Sequence, residues 1–164
     1  NLVMTATPLA MTAHHHPFGD TVVVIQWHIV GMFAPAFFTG SLINRFGVLQ
    51  VMLVGTLLLV GCVAVALSGA GFLYFWSALL LLGVGWNFTF VGGTTLLTEC
   101  YAPAEKAKVQ AVNDFLVFGT VALASLLSGT LLHLIGWHAV LYWALPFLAL
   151  TGLATLWLWR RQRA

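Results

Sequence analysis

Few residues in this sequence can do chemistry. Asn113 and Asp114 lie beyond Pro103, which suits the first turn of a helix, and Glu105, which suits that helix's N-terminal dipole. On such a helix Lys106, Gln110, Asn113, Thr120, Ala124 and Ser128 share one face at i, i+3, i+4 spacing, and Asp114 flanks it beside Gln110. A small, polar stripe running into an apolar segment faces protein or water rather than lipid. It contacts a solute or a proton, or it fixes packing through interhelical polar contacts. His28, with Gln26 near it, shares a face with Gly31, Met32, Pro35 and Thr39. A histidine titrates near neutrality, which suits proton coupling; a neutral histidine bonded to a neighbouring helix is the equal alternative. Trp86 and Asn87 lie in the apolar run 72–98 among Gly83, Gly85, Gly92 and Gly93, and Thr94 shares the Asn87 face. An amide there can hydrogen-bond a solute and an indole can stack on an aromatic one, or both can simply pack.

Other chemistry is absent from the pattern. His14-His15-His16 cannot all point at one ion on a regular element, and no Cys or Glu cluster joins them, so they read as a solvated loop and no metal is expected. No phosphate-binding G-x-x-x-x-G-K-[ST], H-E-x-x-H or G-x-S-x-G appears, and Gly92-Gly93 is not followed by Lys. Cys62 and Cys100 suggest no disulfide framework. The expectation is a protein that is not an enzyme, has no catalytic residues and needs no cofactor.

The elements that must position these residues follow from composition. Of 164 residues, 61% are hydrophobic and 6% charged. A soluble domain is about 45–50% apolar and about 25% charged. A soluble chain this short has too high a surface-to-volume ratio to bury so much apolar surface. Low charge excludes disorder, and a net charge of +2 leaves no nucleic-acid footprint. The lipid bilayer is therefore the expected surrounding. Five apolar segments, about 21–43, 48–67, 72–98, 109–135 and 139–159, each have the about 20 residues that a helical crossing needs. The reading is an all-α polytopic membrane helix bundle.

All Lys and Arg (Arg45, Lys106, Lys108, Arg160, Arg161 and Arg163) fall in three of the six breaks and ends. Five crossings put those three regions on one side, and the positive-inside rule makes that side cytoplasmic. The C-terminus is then inside and the loop 14–20 outside. Trp137 and Tyr142 near one interface, and Trp157 and Trp159 near the other, suit aromatic belts. Ser125 and Gly129 form a small-xxx-small pair. Residues 1–12 are apolar yet too few to cross, so 1–13 is expected to be the end of a helix whose first half precedes Asn1. Residues 14–164 then carry the five crossings and a cytoplasmic tail.

The residues Gly40-Ser41-Leu42-Ile43-Asn44-Arg45-Phe46-Gly47 resemble the G-x-L-x-D-R-x-G signature of the major facilitator superfamily. Gly40, Leu42, Arg45 and Gly47 match. Asn44 stands where the family usually has Asp, and Val48-Leu49 replaces the usual basic pair. Those departures resemble the weaker copy, between helices eight and nine. The resemblance implies that residues 1–13 end helix seven, that the later segments are helices eight to twelve, and that this is the C-terminal half of a twelve-helix transporter. The stretches 85–95 and 99–106 look like helix ten and the following loop of uncharacterised bacterial members, with flavin-vitamin carriers one such branch. The function implied by the resemblance is secondary transport of a small, vitamin-like or other organic solute by alternating access in a bacterial inner membrane. The partner would be a missing N-terminal six-helix half. The resemblance also brings Arg45 and Glu99 onto neighbouring loops, where a charge pair would latch one conformation. Two other readings remain. One is a membrane redox subunit with His28 and His133 as haem ligands. The other is a non-catalytic assembly subunit, against which the polar face at Asp114 argues.

Overall fold

A computed structural model describes residues 1–162; Arg163, a member of the basic tail, lies outside the described residues. Helix α1 runs Leu2–Ala13, α2 Phe18–Phe33, α3 Ala36–Phe46, α4 Val48–Ser68, α5 Phe72–Thr98 and α6 Lys106–Arg161, with a 3-10 turn at Pro103–Glu105. No strand occurs among the described residues. By length and composition α4, α5 and α6 can each cross a membrane, and α2 with α3 make a further, bent span.

The first long segment is not one straight helix. α2 and α3 meet at a 42° bend. Pro35 has no N–H to give to the Gly31 carbonyl, and its ring blocks a continuous helix. The bend follows from that one residue. Helices α3 and α4 are separated by Gly47 alone, at φ 94 and ψ 150. That region is essentially closed to other residues.

Helix α6 contains a comparable break. Its 56 residues would extend about 84 Å if straight, at 1.5 Å per residue. Gly136 instead adopts φ 81 and ψ 172. Gln162, past the end of α6, lines a pocket with Glu99, which precedes its start. The helix therefore doubles back at Gly136, and each arm exceeds the length a crossing needs. Its first arm meets α1, where Asn1 Nδ2 reaches the Ser125 hydroxyl and the Val121 carbonyl. Its second arm reaches α4, where Gly152 approaches Thr56.

Helix α5 is sandwiched between α2 and α4, and glycines set both contacts. A Cβ at Gly83 would lie 2.5 Å from the His28 carbonyl oxygen, and one at Gly31 3.0 Å from that of Leu80. On the other side, a Cβ at Gly85 would meet the Gly55 carbonyl oxygen at 2.9 Å. Such close approach is how membrane helices gain packing without a hydrophobic drive. The apolar core cluster, including Met11, Val24, Cys62, Phe75, Leu79, Trp137 and Leu141, lies toward the end where three non-basic breaks meet. There His16 Nε2 donates to the Ala70 carbonyl at 2.7 Å. The Phe75 ring lies between those of His16 and Trp137, with centroids 5.5 and 5.6 Å away.

Candidate functional site

Polar chemistry inside the bundle gathers on α5. His28, 3% exposed, points its Nδ1 at the Leu79 carbonyl, 2.9 Å away. A carbonyl only accepts, so Nδ1 carries the proton and the ring is held against the α5 backbone. Further along the same helix pair, Asn87 is buried at 2% exposure. Its Nδ2 donates to the Met32 carbonyl at 2.7 Å, and its Oδ1 accepts from the Thr39 hydroxyl at 2.7 Å. Met32 lies in the last turn of α2, where the bend leaves carbonyls without helical partners. Asn87 therefore caps the broken end of α2 and ties α3 to it by the same amide.

Trp86, next in sequence, points elsewhere. Its ring stacks on that of Phe90 at 4.6 Å with 9° between planes, and both are half-buried. Thr94 returns its hydroxyl to its own helix, at the Phe90 carbonyl 2.9 Å away. Asn113 Nδ2 donates to Asp114 Oδ1 at 3.3 Å, and Asp114 is exposed on α6. Gln110 donates to the Tyr101 hydroxyl at 2.9 Å. His133, the second partner of the haem reading, is exposed on α6 while His28 is buried between α2 and α5.

At the basic end, Asn44 and Gly47 line one pocket with Gln50, Thr95, Glu99 and Gln162. Three chain segments distant in sequence thus meet at the loop motif. The glycine at the end of the motif is explained by its positive φ. Gly40 has open space where a side chain would be, and Leu42 is half-buried. Arg45 lays its guanidinium over the Phe46 ring at 5.3 Å. No Arg45–Glu99 ion pair forms among the described residues; in this conformation Arg45 makes its contact with the adjacent ring instead.

Two contributors are not evident from the sequence alone. Thr39 shares the His28 face there, with no role of its own. A signal for it exists: Pro35 frees carbonyls in mid-span, so a donor must be supplied nearby. Phe90 stands four residues after Trp86, the spacing at which helical side chains meet.

The sequence profile of the Major Facilitator Superfamily matches residues 1–164. This chain belongs to that superfamily. Among its relatives is a protein from Brucella anthropi named riboflavin transporter RfnT, 47% identical over 148 residues, which cover 90% of this chain and 37% of the relative. Two uncharacterised MFS-type transporters of Bacillus subtilis, YdeG and YddS, are 37% and 36% identical over 129 residues, 77% of this chain and 30% of each relative. The chain thus spans about a third of the length of the relatives it matches. No solved structure matches it significantly. Membership makes this an integral membrane protein of a transporter family.

Proposed function

We propose that the whole protein is a secondary transporter of a small organic solute of the flavin-vitamin kind, working by alternating access between two six-helix halves. This chain supplies the end of helix seven and helices eight to twelve, in a bacterial inner membrane with the C-terminus cytoplasmic. The observation that carries the reading is the 47% identity, across 90% of this chain, to a protein named as a riboflavin transporter. The polar residues have divided roles. Trp86, Asn113 and Asp114 serve the solute or its coupling ion. His28 and Asn87 hold the helices that form the wall, and Thr94 returns its hydroxyl to the α5 backbone within it. Gly40, Leu42, Asn44, Arg45, Gly47 and Glu99 form the conformational element at the basic end. The pocket shared by Asn44, Glu99 and Gln162 supports that role, because relative movement of these three segments must remake it.

The test is uptake by the full-length product of the native gene in a riboflavin-auxotrophic bacterium lacking its own carrier. Growth at low external riboflavin, and saturable uptake of labelled riboflavin, are expected. Growth no better than with an empty vector contradicts the proposed solute.

A further inference from the structure

Trp86, Phe90, Gly93 and Leu97 follow one another at i, i+4, i+7 and i+11, so they share one face of α5. At the upper end of this face the Trp86 and Phe90 rings are parallel and stacked. A Cβ at Gly93 would meet nothing within 4 Å. Helical side chains lean toward the N-terminus, so the space that a residue-93 side chain would take lies on the Phe90 side of Gly93. At the lower end Leu97 opens into a groove of about 400 Å³ between α5 and the first arm of α6. Val109, Val112 and Leu116 form its apolar wall, and Asn113, Lys108 and the Glu105 carboxylate supply polar groups. The face therefore runs from an aromatic platform, past the bare Gly93, to a groove with an amide, an ammonium group and a carboxylate.

We infer that this face is a specificity subsite for a planar heteroaromatic ring bearing a hydroxylated tail. The ring extends the Trp86–Phe90 stack over Gly93 and the tail reaches Asn113. The inference rests on the flavin-like solute proposed above and assigns residues to its recognition. A third parallel ring gains the dispersion and desolvation that already hold the first two. Gly93 is the size filter, because a branched side chain there would occupy the place of the ring. The tail's hydroxyls meet the Asn113 amide and the Lys108 ammonium rather than bare hydrocarbon, so their desolvation is compensated.

The test uses the full-length carrier with riboflavin as the probe, read by quenching of flavin fluorescence on binding and by the KM of uptake. Phe90→Leu is expected to raise Kd and KM at least about fivefold, in line with the stacking of a heteroaromatic base on an aromatic side chain. Phe90→Tyr, which keeps the ring, is expected to stay within about twofold of the parent. Gly93→Leu is expected to abolish quenching with no loss of folded protein, since a Cβ there meets nothing within 4 Å and leucine is the better helix former. Trp143→Leu, an exposed aromatic on the second arm of α6, is the control and leaves both readouts unchanged. Riboflavin uptake with unaltered Kd and KM in Phe90→Leu and Gly93→Leu overturns the subsite and leaves the transport reading standing. Equal losses in Trp143→Leu and Phe90→Leu also overturn the subsite. No riboflavin binding by the parent protein removes the proposed solute and the subsite together.

Discussion

Asn87 shows how one amide can carry a helix break. The Met32 carbonyl has lost its helical donor beside Pro35, and an unpaired carbonyl in an apolar interior is costly. The amide supplies the donor with one end and accepts from Thr39 with the other. Asn87→Ala removes both contacts and is expected to lower stability by about 1–3 kcal/mol, the usual cost of leaving a buried polar group unsatisfied. Thr39→Val is expected to cost less, because Met32 keeps its donor. Thermal unfolding of the full-length protein in detergent, arranged as a double-mutant cycle, checks this. A coupling energy of about 0.6–1.7 kcal/mol is expected, the range of hydrogen bonds between membrane helices. Strict additivity of the two substitutions would contradict the clasp. In the sequence, Asn87 stands out as a polar group at depth and Thr39 falls on the right face. Their pairing is not legible there, because nothing in a single chain says which helix a polar face meets. Trp86 is legible as an aromatic at depth; its partner Phe90 is hidden among other apolar residues.

At the scale of elements, glycine and proline punctuate the fold. The expected segments 48–67 and 72–98 nearly coincide with α4 and α5, because each is bounded by residues that stop a helix. The segment 21–43 is legible as apolar but not as bent, since hydropathy is blind to the angle at Pro35. The segments 109–135 and 139–159 appear as the two arms of α6, divided at Gly136 by its positive φ. Gly136→Ala places a side chain in a region essentially reserved for glycine and is expected to cost about 1–3 kcal/mol. The apparent Tm of the full-length protein measures it, and an unchanged Tm would show that the arms are joined in some other way. Gly83→Leu and Gly93→Leu make a sharper pair. At Gly83 a Cβ strikes the His28 carbonyl, whereas at Gly93 a Cβ meets nothing within 4 Å. Overpacking should therefore cost Gly83→Leu at least about 1–3 kcal/mol and reduce the yield of monodisperse protein, with Gly93→Leu at parent yield. Equal yields would contradict the close α2–α5 contact.

For the whole molecule, the charge pattern and the packing agree on two ends. The breaks without Lys or Arg meet around Phe75, and Asn44, Glu99 and Gln162 meet at the other end. The first arm of α6 leaves Phe115, Leu123 and Leu126 exposed, a surface that needs lipid or further protein to cover it. Orientation has its own test. A C-terminal green fluorescent protein fusion of the full-length protein should fluoresce and the matching alkaline phosphatase fusion should be inactive; the reverse would invert the topology.

Alternating access of a flavin-like solute is the central claim, and counterflow tests it most directly. Purified full-length protein is reconstituted in liposomes preloaded with unlabelled riboflavin and diluted into a trace of labelled riboflavin. A transient accumulation of label above equilibrium is predicted, because a single site exposed alternately to each side exchanges internal for external solute. Label that rises only to equilibrium, or does not enter, would contradict the account.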